Sequence, residues 1–234
     1  MKRLRITIIG ITLFFVSIIS GLSLFFNDPA ISAFSSNDTG LPVLIIDPGH
    51  GGEDGGAVSL TGVCESHINL AIARRLDAAL SLVGYPTQLL RQSDISLHDR
   101  GAVTIRQKKV SDLHNRADFV NRHDDAVLIS IHQNSYPGAR YSGAQVFYAP
   151  DDASNSLAEH IQNSLIQNLD PTNKRQIKQI PDNLYLFQHI TCPAVLIECG
   201  FLTNPREEAL LQQPDYQTKL AAIIAASYLK YHTQ

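Results

Sequence analysis

Three stretches of this chain are apolar almost without interruption, at residues 43–46, 126–131 and 194–197. Each is too short for a buried helix. A strand with one wet face alternates apolar and polar residues, whereas an unbroken apolar run suits a strand covered on both faces, as inside a parallel sheet. Residues 86–90 and 144–148 are further strand candidates. Helical spacing lies between them. Over residues 66–82, Ile68, Ala71, Ile72, Leu76, Ala79 and Leu80 form one stripe, and Gly84 supplies a stop. Residues 112–122, 153–168, 206–212 and 216–231 also read as helices. Strands alternating with helices of this length specify an α/β domain. The expectation is a single domain with a mostly parallel, twisted sheet flanked by helices.

Each of the three runs leads into a residue able to bind metal or move protons. The first is followed by Asp47-Pro48-Gly49-His50, the second by His132 and the third by Glu198. Ligands of open α/β sheets bind beyond the carboxyl ends of the strands. On parallel neighbours, His50, His132 and Glu198 would therefore converge. Taken singly, each reads as an ordinary hydrogen-bonded strand-end residue. Glycines around His50 allow a sharp turn and close approach of a substrate. No Gly-Lys-Ser/Thr follows them, which argues against a phosphate cradle. Glu65 stands where a helix begins, where a negative charge is favoured. It is either a helix-end carboxylate or a partner for His50, with Glu53 and Asp54 as rivals. Asp47 is a candidate to orient His50, or else a cap for the loop. His67, His98, His114, His123, His160, His189 and His232 lack strand-end placement and read as ordinary histidines.

The 234 residues carry a net charge of -3, with 44% hydrophobic and 18% charged residues. This balance leaves no basic footprint for nucleic acid and no long-range attraction to anionic polymers. Three cysteines, Cys64, Cys192 and Cys199, cannot all pair within one chain, and their spacing fits no zinc finger. They read as buried, unreactive thiols, with a Cys64–Cys199 bridge as the alternative. At the N-terminus, Lys2, Arg3 and Arg5 precede an uncharged stretch at residues 6–26. As a helix it would extend about 31 Å, close to the thickness of a bilayer core. Its basic flank places that end in the cytoplasm and the remainder outside the cytoplasmic membrane. A cleaved signal peptide, cut near Ala33, is the alternative, although such apolar regions usually run to about 7–15 residues. The expected organisation is a single-pass anchor at residues 1–26, a linker at 27–40 and a catalytic domain at 41–234.

Four segments complete the reading. Ile46-Asp47-Pro48-Gly49-His50-Gly51-Gly52, Glu65 with Asn69-Leu70, Ser130-Ile131-His132-Gln133-Asn134, and Ile197-Glu198-Cys199-Gly200-Phe201-Leu202-Thr203-Asn204 resemble the zinc-dependent N-acetylmuramoyl-L-alanine amidases. They occur in that family's order and cover most of residues 41–234. The resemblance implies a zinc ion held by His50, Glu65 and His132, with Glu198 as the catalytic carboxylate. It also selects Glu65 over Glu53. The implied substrate is peptidoglycan, cut between the muramic acid lactyl carbonyl and L-alanine. Two histidines and a glutamate with an open fourth position are a known catalytic zinc set. Such an ion acidifies water and polarises a carbonyl, and Glu198 would carry a proton from the water to the leaving amine.

Within the family, residues 111–117 and 142–148 and the short anchored form resemble the germination-specific spore-cortex branch. That branch implies removal of stem peptides during sporulation, before a separate deacetylase converts muramic acid to its lactam. Ser66 departs from the lysine of many relatives, and Cys199 from the residues common after the catalytic glutamate. Gln133, Asn134, Arg116 and Asn204 are candidate polar contacts outside the catalytic set. No segment identifies an activating protein partner. The rival readings are another zinc peptidase acting on the stem peptide and a catalytically silent, anchored wall-binding protein.

Overall fold

The computed structural model describes residues 40–232. The expected membrane anchor and nearly all of the linker lie outside them. Among the described residues no helix is long and apolar enough to cross a membrane. The elements are β1 (Val43–Pro48), α1 (Glu65–Leu82), β2 (Thr87–Leu89), α2 (Ile105–Asn121), β3 (Ala126–Asn134), β4 (Gln145–Tyr148), α3 (Asp152–Asn168), β5 (Lys178–Gln179), α4 (Tyr185–Gln188), β6 (Ala194–Phe201), α5 (Pro205–Leu211) and α6 (Pro214–His232).

One six-stranded sheet has the order β2-β1-β3-β6-β4-β5. Strands β2, β1, β3 and β6 are parallel, and these include all three apolar runs. Strand β4 runs antiparallel to β6, with β5 parallel to β4, so the sheet is mixed. Among the described residues four of the five strand pairings are parallel, as expected, and the one reversal has a simple cause. A parallel return needs a crossover of a dozen or more residues, usually helical. Residues 135–144 contain no helix, and the chain turns back instead.

Alternation along each strand sends side chains to two cores. On one face Leu44, Ile46, Ile129, Ile131, Val195 and Ile197 pack with residues of α1, α3 and α6. On the other, Ile45, Leu128, Ala194 and Leu196 pack with Ala117 and Val120 of α2 and with Leu186 and Phe187 of α4. Burial on both faces is what the unbroken apolar runs require. Helix α2 begins seven residues before its expected start at 112. Thr104 caps it: its hydroxyl accepts from the Gln107 amide at 3.2 Å, and the Gln107 side chain accepts from the Thr104 amide at 3.0 Å. The first turns of α2 expose Ile105 and Val110, which hides the apolar stripe used to recognise a helix.

Candidate active site

The register fixes which side chains meet. Asp47 lies opposite Ser130, Ser130 opposite Leu196, and His132 opposite Glu198. By alternation these residues share the face of the sheet occupied by α2 and α4. His50 lies two residues beyond the end of β1, and Glu65 opens α1.

His50, Glu65 and His132 converge, with one ligand-type atom from each within 4.8 Å of the others. His50 Nε2 is 3.4 Å from Glu65 Oε2, and His132 Nδ1 is 3.0 Å from Glu65 Oε1. The two imidazoles meet edge to face at 5.0 Å. Glu65 is held by the amides of Ala57 at 2.9 Å and Gln133 at 3.0 Å, and by Asn69 Nδ2 at 3.2 Å. Two glycines are required by crowding. A Cβ on Gly49 would lie 2.2 Å from the His132 ring, and one on Gly56, at φ +69°, would lie 2.6 Å from Glu65 Oε2.

The electrostatics call for a cation among these side chains. Burial opposes ionisation of Glu65, but hydrogen bonds and charge from His132 and His50 outweigh it and hold the carboxyl well below its usual range. Burial likewise opposes charge on His50, yet hydrogen bonds to Asp54 and Glu65 raise its pKa to about 9. A protonated imidazole thus supplies the positive charge that the carboxylates demand. A divalent cation satisfies the same demand, and two imidazoles plus a carboxylate match a catalytic zinc donor set.

Glu198 differs in kind. Burial, reinforced by the charge of Glu65, pushes its carboxyl up to about 7 against the pull of His132, His50 and Arg175. Its Oε2 is buried and has no hydrogen-bond partner among the described residues. A cavity of about 470 Å³ opens beside Glu198, His50 and His132, walled by Leu113, Phe147, Leu184, Tyr185, Leu186 and Phe187. Its volume falls in the range of small-molecule sites.

The other candidates sort clearly. Asp47 does not orient His50. It pairs with Arg116 and accepts from Ser130 Oγ at 2.7 Å. Asp54 takes the expected place, 3.1 Å from His50 Nδ1. Such a partner fixes the tautomer and ring orientation of a ligand histidine. Glu53 is half-exposed and pairs with Lys108. Arg116 bonds the carbonyls of Pro48 and His50. The Gln133 side chain reaches Asn69 at 3.1 Å, and the Asn134 carbonyl accepts from the Leu202 amide at 2.8 Å. Asn204 caps α5 and donates to Ala139 and Tyr141. Ser66 is buried at the start of α1. All three cysteines are free, so the Cys64–Cys199 bridge is absent; Cys199 is buried while Cys64 and Cys192 are half-buried. None of the seven remaining histidines joins the cluster. Sequence reasoning missed Arg91, buried beside the His50 turn, and α4, whose single helical turn is too short to show a period.

Comparison with known proteins agrees with this geometry. The family model described as N-acetylmuramoyl-L-alanine amidase matches residues 44–229. The germination-specific N-acetylmuramoyl-L-alanine amidase of Bacillus subtilis (strain 168) is 39% identical over 210 residues, covering 86% of this chain and 87% of the relative. The CwlD amidase from Clostridioides difficile, solved in complex with the GerS lipoprotein, superposes with a TM-score of 0.79 at 37% identity. The match covers 82% of this chain and 98% of that one. AmiC2 of Nostoc punctiforme gives a TM-score of 0.68 at 29% identity, with coverage of 82% and 98%. With four motifs in order, one convergent site and a family match across the whole sheet, this chain belongs to the N-acetylmuramoyl-L-alanine amidases.

Proposed function

We propose that this protein is a zinc-dependent amidase that cuts peptidoglycan between the muramic acid lactyl carbonyl and L-alanine. The observation that carries the reading is the pairing of two unlike carboxyls. Glu65 is ionised between two imidazoles, and Glu198 sits in register beside His132 with a buried, unpartnered oxygen. His50, Glu65 and His132 would hold the zinc. When bound, zinc polarises the scissile carbonyl and acidifies the attacking water. Glu198, whose carboxyl burial pushes up to about 7 in the metal-free protein, is the group placed to exchange protons here. It accepts one from the attacking water and returns it to the amine as the C–N bond breaks. The products are a lactyl carboxyl and a peptide with a free L-alanine amine. Asp54 holds the His50 ring, and Asn69 and the Gln133 amide hold Glu65.

The germination-specific relative in Bacillus subtilis supports a role in the spore cortex, where peptide removal would precede lactam formation by a deacetylase. The CwlD–GerS complex is a precedent for a protein partner. The basic residues before the uncharged stretch at 6–26 support a single-pass anchor, with the domain from residue 41 on the wall-facing side of the cytoplasmic membrane.

Mass spectrometry of disaccharide-peptide fragments incubated with the zinc-loaded full chain tests the reaction. The expected products are a muramic acid with a free lactyl carboxyl and an intact stem peptide. A cut within the peptide would make the protein a peptidase instead. Bound zinc with no turnover would make it a wall-binding protein.

A further inference from the structure

Two buried arginines hold the turn that carries His50. Arg91 follows β2, Arg116 lies on α2, and each is 2% exposed. Arg91 donates from Nε to the Pro48 carbonyl at 2.9 Å. Its Nη2 donates to the carbonyls of Gly49 at 3.0 Å and Ser66 at 2.9 Å, and its Nη1 to that of Ser93 at 3.0 Å. Its ion pair with Asp94 is 3.9 Å long, beyond hydrogen-bond distance. Arg116 pairs with Asp47 and Asp112, and donates to the carbonyls of Pro48 at 3.2 Å and His50 at 2.7 Å. Every carbonyl from Pro48 to His50 therefore accepts from a buried guanidinium.

This backbone needs holding. His50 has φ 62°, the only non-glycine residue with positive φ among the described residues. Histidine enters this left-handed region more readily than most residues, yet the conformation stays uncommon outside glycine and persists where its surroundings over-determine it. Gly49 lies so close to His132 that the turn has no slack towards β3. Burying a cation costs desolvation energy, and filling the same space with apolar side chains often gives a fold of equal or greater stability. Here the guanidiniums instead fix three consecutive carbonyls, the last belonging to a candidate metal ligand.

We propose that Arg91 and Arg116 are positioning residues that lock the strained His50 backbone and thereby set the affinity and geometry of the metal centre. The inference rests on the proposed function, because it requires His50 to hold the metal. Lysine is a poor substitute: one ammonium cannot reproduce the planar fork that reaches several carbonyls at once.

The test uses the full chain and three readouts: zinc affinity by chelator competition, the visible absorption of the Co²⁺-loaded protein, and metal-free melting temperature. Arg91→Lys is expected to stay folded, to bind zinc roughly 10–100-fold more weakly and to show a changed Co²⁺ spectrum. Arg91→Gln is measured beside it, because it removes the buried charge and remains informative if the lysine variant unfolds. The same loss of zinc affinity is expected. A folded variant that melts lower but keeps the parental zinc affinity and Co²⁺ spectrum would overturn the proposal. A parent chain that takes up neither metal would overturn the proposed function and this inference with it, so the parental measurement separates the two failures.

Discussion

At the scale of single residues, the role proposed for Glu198 makes opposite predictions for catalysis and for stability. Its carboxyl is pushed from an ordinary 4.5 to about 7 by burial first and the charge of Glu65 second. A group whose folded pKa lies above its unfolded value contributes stability below the unfolded value, and loses that contribution as pH rises through the folded one. In the metal-free protein the ionised Glu198 is therefore a liability that grows between about pH 4.5 and 7 and persists above, worth at most about 3 kcal/mol. Metal-free Glu198→Gln is expected to melt higher than the parent at pH 8, with the difference vanishing near pH 4. The zinc-loaded variant should lose roughly 10²–10⁴-fold in turnover. Equal melting at pH 8 would mean that the carboxylate is better solvated than its burial implies, and near-parental turnover would remove it from the mechanism. Glu198 was legible in the sequence because a polar residue closes an apolar run. Asp54 was not legible as the partner of His50, since choosing among Asp47, Glu53 and Asp54 depends on the direction the loop takes after the positive-φ turn.

At the scale of elements, short helices do positional work through their caps. Asn204 accepts from the amides of Arg206 at 3.0 Å and Glu207 at 3.3 Å, and donates to the carbonyls of Ala139 and Tyr141 at 3.0 Å each. It ties the strand β6 exit to the loop after β3. Loss of a cap of this kind costs about 1 kcal/mol, which for a domain of this size lowers the melting temperature by roughly 2–4 °C. Asn204→Ala should melt lower by at least that much and still take up the parental amount of zinc. Reduced zinc in a folded variant would place Asn204 nearer the chemistry than its contacts indicate. The Thr104–Gln107 capping box shows how a boundary can be written in the sequence yet be overlooked. Its Thr-x-x-Gln signature is explicit, but the exposed Val103 and Ile105 beside it suggest no buried face.

At the scale of the whole molecule, the proposed metal centre would couple binding to folding. Only the folded sheet brings the ends of β1 and β3 and the start of α1 together, so a ligand of this cluster stabilises the native state by mass action. At a free zinc concentration of 100 times Kd the gain is about 2.7 kcal/mol. Calorimetry of the parent should show a zinc-dependent rise in melting temperature that a chelator reverses. Glu65→Ala, which lacks one of the three donors, should show almost none. An equal rise in the variant would place the ion elsewhere. The sequence by itself determined the positions of β1 to β4 and β6, the burial of the sheet on both faces, and the placing of His50, His132 and Glu198 just after apolar runs, although β3 and β6 continue past His132 and Glu198 to Asn134 and Phe201. Those properties follow from apolar periodicity, a local quantity. Tertiary structure alone decided the reversal of β4, the pairing of Asp54 with His50, the diversion of Asp47 to Arg116, and the two guanidiniums beneath the His50 turn. Each depends on which distant side chains share a small buried volume, and a linear pattern of apolar and polar residues carries no record of that.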